Sequence, residues 1–451
     1  MGEYKGSRGT FSNFGFLMAA VGSAVGLGNL WKFPYLTGNN GGGIFVLIYL
    51  IIVLTIGFTC LLGEMTIGRA TRLNPIGAYQ KISKKFTFVG IIGVLVAFII
   101  VTYYNIIGGW ILKYLVSYLT GKSSIIHEDP EGFFGAFITN PYEPIFWTFI
   151  FILLNIFIIS KGVEMGIERA SKIMMPMLFV LLIALAIRSI TLPGAMAGVE
   201  FFLKPDFSAL SWNTVSMALG QCFFSLSLGM GIIITYGSYL GDTANLEKNA
   251  ILVPIFDTIA ALLAGFVILP AVFAFGFEPG QGPGLIFVTL PAVFNSMPGG
   301  GILASLFFIL VIFAALSSSL SLLEVPVSYF IDNRGWKRKN AVYALCAIAF
   351  LISIPESLSN GAWTQTFFGM PFFDFMSYIA ESLLMPLAGF FMCIVVAFFW
   401  SPKEAVAEIS DNGRLPFHSK GFWLLMIRFI APVVIFIIWL NSSGILKLFI
   451  K

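Results

Sequence analysis

Asp257 is a carboxylate inside an apolar run (248–276). Ionisable groups at such positions are costly in a membrane and default to functional roles. Two other apolar runs carry hard oxygen donors that could join it: Asn29 in the run 11–36 and Ser225 in the run 213–240. A carboxylate, an amide and a hydroxyl, without histidine or cysteine, suit an alkali cation rather than a transition metal. Glu64, Glu324, Asp374 and Lys32 are further charges within or beside apolar runs. The runs that hold Asn29 and Ser225 are themselves abnormal. Gly22, Gly26 and Gly28 interrupt the first; Ser225, Ser227, Gly229 and Gly231 interrupt the other. Glycine weakens a helix where it should be strongest. Unwound backbone at membrane depth survives only where it lines a cavity inside the protein. Carbonyls freed by unwinding would add oxygens, and Glu64 is expected to cap exposed backbone N–H groups of a broken helix.

The elements that must position these groups follow from composition. The chain has 451 residues, 58% hydrophobic and 11% charged. Soluble domains carry about 25% charged residues, so a polytopic membrane protein is expected. Apolar stretches of spanning length fall near 11–36, 42–69, 87–119, 144–160, 166–190, 213–240, 248–276, 299–331, 339–354, 372–400 and 421–447, eleven in all. With the N-terminus in the cytoplasm, most of the 26 basic residues fall on one side: Lys5, Arg8, Arg69, Arg72, Lys81, Lys84, Lys85, Lys161, Arg169, Lys172, Lys248, Arg334, Lys337, Arg338, Lys339, Lys403, Arg414 and Lys420. The positive-inside rule then puts the C-terminus outside the cell. The polar N-terminus runs directly into a long span, so a cleavable leader is not expected. Two glycine-broken spans, five spans apart, point to an inverted-repeat transporter with its site at the midplane. One membrane domain, 1–451, would hold a first repeat (10–190), a second inverted repeat (213–400) and an extra helix (421–447).

Other features carry two readings. Ala314-Ala-Leu-Ser-Ser-Ser319 could be small residues for helix packing or, beside the broken spans, cation ligands at Ser317 and Ser318. Tyr103 and Tyr104 sit mid-span, so one phenol is expected to face a cavity. Gly166 and Pro176 weaken the inner end of the fifth span, as a static kink or as a stretch that unwinds to admit water. Four cysteines (Cys60, Cys222, Cys346, Cys393) fall in apolar runs and are expected to be free thiols. The basic residues form no stripe for nucleic acid. His127 and His418 are the only histidines, both in expected loops, and no HExxH or GxSxG occurs, so an enzyme is not expected.

The chain resembles the neurotransmitter:sodium symporters, in particular their bacterial LeuT-type amino-acid transporters. The resemblance rests on Ala24-Val-Gly-Leu-Gly-Asn-Leu-Trp-Lys-Phe-Pro-Tyr35, Asn40-Gly-Gly-Gly43, Glu64 with Gly68-Arg69, Gln221-x-Phe-Phe-Ser-Leu-Ser-Leu-Gly229 and Ser317-Ser-Ser319, and it covers nearly the whole chain. It implies an all-α fold of two inverted five-helix repeats with broken helices 1 and 6, and two co-transported sodium ions. The first ion would sit at the Ala24 carbonyl, Asn29, Ser225, Asp257 and the substrate carboxylate. The second would use carbonyls of Gly22, Val25 and Ala314 with the hydroxyls of Ser317 and Ser318. The resemblance places an L-amino acid against Ser23, Ala24, Leu27, Gly28, Ile100, Tyr104, Phe224, Ser225, Ser227, Met230, Ser318 and Leu322. Lys32 and Asp374 would pair as the outer gate; Tyr239, Glu324 and Asp332 would form the inner one.

Departures from the family pattern shape the functional expectation. Lys32 stands where arginine is usual and cannot form a bidentate pair. Arg8-x-x-Phe11 has the spacing of the family's inner-gate Arg-x-x-Trp but is one residue out of register. Asp257 stands where asparagine is usual, and Ala261 where chloride-dependent relatives have serine, although Tyr49, Gln221 and Ser225 persist from the chloride site. Two sodium ions and a zwitterion bring two positive charges into a low-dielectric cavity, and Asp257 offsets one of them. The expectation is therefore a chloride-independent symporter for hydrophobic L-amino acids, with proton counter-transport if Asp257 protonates once sodium leaves. The pocket offers a side chain no fixed charge, and Met230 is adaptable. A transporter-like sensor that binds without translocating is the alternative. Oligomeric state is not legible.

Overall fold

The computed structural model of the chain describes residues 9–277 and 284–444; Arg8, Lys5, Lys447 and Lys451 lie outside the described residues. Each of the eleven apolar stretches is helical over most of its described length. The long helices are α3 (Gly43–Thr71), α4 (Lys84–Leu119), α6 (Val163–Ile190), α9 (Leu246–Ala274), α10 (Gly300–Arg334), α11 (Arg338–Leu358), α12 (Phe372–Phe399) and α13 (Lys420–Ser442). These eight are long and apolar enough to cross a membrane, and two bent pairs bring the number to ten. One pair is α1 (Asn13–Ala24) with α2 (Gly28–Asn39), bent by 46°. The other joins Pro130–Thr139 to α5 (Glu143–Ile159) at 81°. The sixth stretch fails the length test because it is cut into α7 (Trp212–Ser225) and α8 (Ile232–Gly237). The described residues form one strand pair, the hairpin Thr366–Phe367 with Met370–Pro371.

Local chemistry sets the ends of these helices. Ser12, Ser211 and Asn245 cap α1, α7 and α9, each side chain accepting a backbone N–H of the first turn. Gly335, in the left-handed region at φ 66°, ends α10.

The break between α1 and α2 is narrower than the glycine pattern implies. Gly22 stays inside α1, where an added Cβ would come within 3.2 Å of Ser317, so its small size serves packing. The ladder fails at Val25 and Gly26. The Gly26 amide, which a continuous helix would give to the Gly22 carbonyl, donates to Asn29 Oδ1 at 3.2 Å. The Leu27 amide, due to the Ser23 carbonyl, donates to the Tyr104 hydroxyl oxygen at 3.2 Å. Two carbonyls are thereby released inward.

The break between α7 and α8 is longer. It turns on three residues in the left-handed region: Ser227 (φ 55°), Gly229 (φ 73°) and Gly231 (φ 70°). A Cβ at Gly229 would meet the Met385 carbonyl oxygen at 2.3 Å, so only glycine fits. The Gly229 amide donates to Glu64 Oε1 at 2.7 Å, and a carboxylate from α3 thus takes a donor that the broken helix cannot use.

Gly166 and Pro176 do not interrupt α6, which is helical throughout with a π-helical turn at Val163–Glu168. An added Cβ at Gly166 would lie 2.3 Å from the Ile158 carbonyl oxygen, so this glycine seats α6 against the end of α5. The four cysteines are free and buried.

Candidate substrate and cation site

The two breaks face each other across one cavity. Its wall includes Ser23, Ala24, Gly26 and Gly28 from the first break, Phe224, Ser225, Ser227 and Met230 from the second, Ile100 and Tyr104 from α4, and Ser318 and Leu322 from α10. Eleven of the twelve residues expected to contact substrate therefore converge. Leu27 does not line the cavity; its amide instead holds the Tyr104 hydroxyl in place. Of the two adjacent tyrosines, Tyr104 faces the cavity.

Gly26, Ile232 and Ser321 also line the cavity and were missed by the sequence reading. Ser321 completes a buried hydroxyl network. Ser23 Oγ donates to Ser321 Oγ at 2.8 Å and lies 3.0 Å from Ser227 Oγ. Ser227 and Ser318 each donate to the Ser23 carbonyl released by the break, both at 3.2 Å. Ser321 lies one helical turn beyond Ser318, a spacing that would have revealed it. Gly26 is needed because a Cβ there would lie 2.4 Å from Ser318 Oγ.

Directly beside the cavity, the donors expected at the first cation position are held against one another. Ser225 Oγ lies 2.8 and 2.9 Å from the two carboxylate oxygens of Asp257. Asn29 Nδ2 donates to Asp257 Oδ1 at 2.8 Å and to the Asp257 carbonyl at 3.1 Å. Tyr49 donates to Asp257 Oδ2 at 3.0 Å. Asp257 and Asn29 are fully buried. Gln221, in the same layer, donates to the Gly28 carbonyl at 2.9 Å, while its Oε1 is buried without a partner. At the second position Ser317 donates to the Ala314 carbonyl at 3.0 Å, and the freed Gly22 carbonyl belongs to the turn of α1 packed on Ser317. Among the described residues no three His, Cys, Asp or Glu side chains cluster. The donor chemistry is thus one carboxylate amid neutral oxygens, which fits a hard singly charged cation.

A family model described as the sodium:neurotransmitter symporter family matches residues 8–126 and 140–447. The chain belongs to that family. An uncharacterised sodium-dependent transporter of Bacillus subtilis is 40% identical over 443 residues, covering 97% of this chain and 98% of the relative. A similarly described protein of Haemophilus influenzae is 39% identical over 96% of this chain and 97% of its own length. The crystal structure of MhsT in complex with L-phenylalanine superposes with a TM-score of 0.90 at 44% identity, covering 97% of this chain and all of that one. The protein is a sodium-dependent transporter with the LeuT-type inverted-repeat fold, not an enzyme, and a multi-pass membrane protein.

The contacts made by the residues expected to gate the cavity differ in part from those expected. On one side Lys32 forms an ion pair with Glu381, not with Asp374. Asp374 lies in the first turn of α12, and Glu381 is seven residues, about two turns, further along and level with Lys32. Glu381 also accepts from the Tyr103 hydroxyl at 2.9 Å. The Lys32 ammonium lies 4.6 Å from the centre of the Phe224 ring, the aromatic lid of the cavity. Glu381, like Glu64 and Asp257, is an acid within an apolar run, and it was overlooked beside Asp374 in the same run.

On the other side Tyr239 donates to Glu324 Oε1 at 2.7 Å, and the Arg338 guanidinium engages both Glu324 oxygens. Arg338 also donates to the Ile159 carbonyl at 2.8 Å, tying the gate to α5. Asp332, further along α10, accepts from the Asn74 side chain at 2.8 Å. Asp332 is not level with Glu324, because eight residues, about two turns of α10, separate them by about 12 Å of rise. Phe11 packs edge-on against Tyr236 and Tyr239, and its amide donates to the Tyr239 carbonyl at 3.0 Å. Arg8 lies outside the described residues.

Proposed function

We propose that the protein imports large hydrophobic L-amino acids, driven by two co-transported sodium ions and without chloride. One observation carries this reading: the apolar wall of Ile100, Phe224, Met230 and Leu322 shares a cavity with released backbone, one layer from the Asp257 carboxylate. The zwitterionic head fits the polar end, where Ser23, Ser227 and Ser318 offer hydroxyls and Tyr104 a phenol. The side chain fits the uncharged end. The phenylalanine held by MhsT supports this substrate class.

The first sodium would bind Ala24, Asn29, Ser225 and Asp257 and share the substrate carboxylate. The second would bind Gly22, Val25, Ala314, Ser317 and Ser318. A shared ligand makes sodium and substrate raise each other's affinity, and that coupling is reciprocal. Uptake concentrates substrate if only the loaded protein exchanges the Lys32–Glu381 closure for opening at Glu324–Arg338. Asp257 supplies the negative charge that chloride supplies elsewhere, and it takes up a proton after sodium leaves. An outward proton gradient then accelerates uptake. The basic loops favour a cytoplasmic N-terminus and an external C-terminus in the cell membrane, with repeats at 10–190 and 213–400 and 421–447 outside them.

The test is uptake of each of the twenty amino acids into proteoliposomes with an inward sodium gradient. Leucine, phenylalanine, tryptophan and methionine should be accumulated. Preference for aspartate, lysine or GABA, or binding without counterflow, overturns the reading. Uptake indifferent to an imposed outward proton gradient removes the counter-transport step alone.

A further inference from the structure

Arg428 is a membrane-depth cation outside the substrate and cation site. It lies eight residues into α13, roughly 12 Å along the helix at about 1.5 Å per residue. Its side chain is exposed on the outer face, among the exposed apolar side chains of Leu425, Phe429 and Phe398. The guanidinium lies 5.5 Å from the Phe398 ring centre and 5.6 Å from that of Phe429. Phe398 is at the end of α12, so this stacking carries the charge back towards the basic loop 401–420. Side chains on a helix lean towards its N-terminus, which for α13 is the same direction.

None of the acids of that loop pairs with Arg428. Glu404 accepts from the Trp400 indole at 3.1 Å, Glu408 from Arg69 at 2.6 Å, and Asp411 lies 3.7 Å from Arg414. Among the described residues Arg428 has no acidic partner. A guanidinium facing hydrocarbon is costly unless it reaches the headgroup layer and a counter-charge there.

Two hollows meet at this place. One, with about 560 Å³ of open space, runs between the end of α12 and α13, with Val396, Trp423, Arg428 and Phe429 in its wall. The other, about 760 Å³, adjoins it on the loop side and is lined by Lys403 and Lys420; Pro402 and Leu424 border both.

We propose that this is a binding site for an anionic phospholipid. An acyl chain occupies the apolar hollow, the phosphate meets Arg428, and Lys403 and Lys420 face the rest of the headgroup. Basic pockets of this kind between membrane helices favour anionic headgroups. A zwitterionic lipid would bring an ammonium into a cluster of three cations. A soluble phosphate would lack the chain that fills the first hollow.

Native mass spectrometry of the delipidated full-length protein, titrated with phosphatidylglycerol or phosphatidylcholine of identical chains, tests this. Phosphatidylglycerol should be retained about fivefold better. Arg428→Gln should remove most of that preference, and Lys403→Gln with Lys420→Gln should reduce it about threefold or more, with phosphatidylcholine unchanged. The lysine pair lies outside the packed core and remains readable if Arg428→Gln fails to fold. Equal retention of the two lipids, or an unchanged preference in the lysine pair, overturns the proposal. Displacement of the lipid by millimolar glycerol 3-phosphate also overturns it, by showing that the phosphate alone is recognised.

Discussion

The two sets of oxygens proposed to hold sodium lie on opposite sides of the same broken helix, and only one carries a formal charge. Three side chains converge on the Asp257 carboxylate within 3.0 Å: Asn29, Ser225 and Tyr49. Around Ser317 and Ser318 the donors are hydroxyls and backbone carbonyls. A unit charge acting on a cation 4 Å away is worth about 4 kcal/mol at an effective dielectric constant near 20. A single neutral hydrogen-bonding group contributes about 1 kcal/mol. The first set should therefore bind through charge and tolerate the loss of a neutral neighbour. The second should bind through geometry and depend on every ligand.

Asp257→Asn breaks this contrast most directly. It should weaken sodium-dependent substrate binding by on the order of 100-fold or more, read as the sodium concentration for half-maximal phenylalanine binding. The double change Ser317→Ala with Ser318→Ala leaves the charge in place and removes two neutral ligands. A loss of roughly 30-fold in sodium affinity is expected, with maximal binding recovered at high sodium. Tyr49→Phe removes one neutral donor to the charged group, and a loss of roughly fivefold should follow in the same titration. If Tyr49→Phe costs as much as the serine pair, the contrast between charge and geometry is wrong. Glu381→Gln lies outside both sets. The Lys32–Glu381 pair is largely buried but hydrogen-bonds to neither set, so sodium affinity should change by no more than about threefold.

The contrast was legible in the sequence because it rests on residue type at fixed positions. Asp257 is an acid in an apolar run, Asn29 and Ser225 flank the glycine-bearing breaks, and Ser317 and Ser318 are consecutive. The helical stretches were legible for the same reason, since apolar length marks each one. Register across helices was not. Asp374 and Glu381 lie on one helix, and sequence cannot say which is level with Lys32; the packing of α12 against α4 decides it through Tyr103. Arg338 was legible only as a loop charge, because its contact with Glu324 depends on how α10 turns into α11. Gly22 looked like part of the break, yet a glycine that unwinds a helix and one that lets a neighbour approach read alike in sequence. Here Ser317 lies against Gly22, whereas the side chains of Asn29 and Tyr104 take the Gly26 and Leu27 amides from the ladder.

The central claim is that Asp257 supplies the anion this site needs. Sodium-driven phenylalanine uptake into proteoliposomes, measured with chloride and with gluconate in its place, tests it most directly. The account predicts the same rate in both media for the native protein, and little uptake in either for Asp257→Asn, since Ala261 offers no hydroxyl to help hold chloride. Loss of native uptake on removing chloride would contradict it.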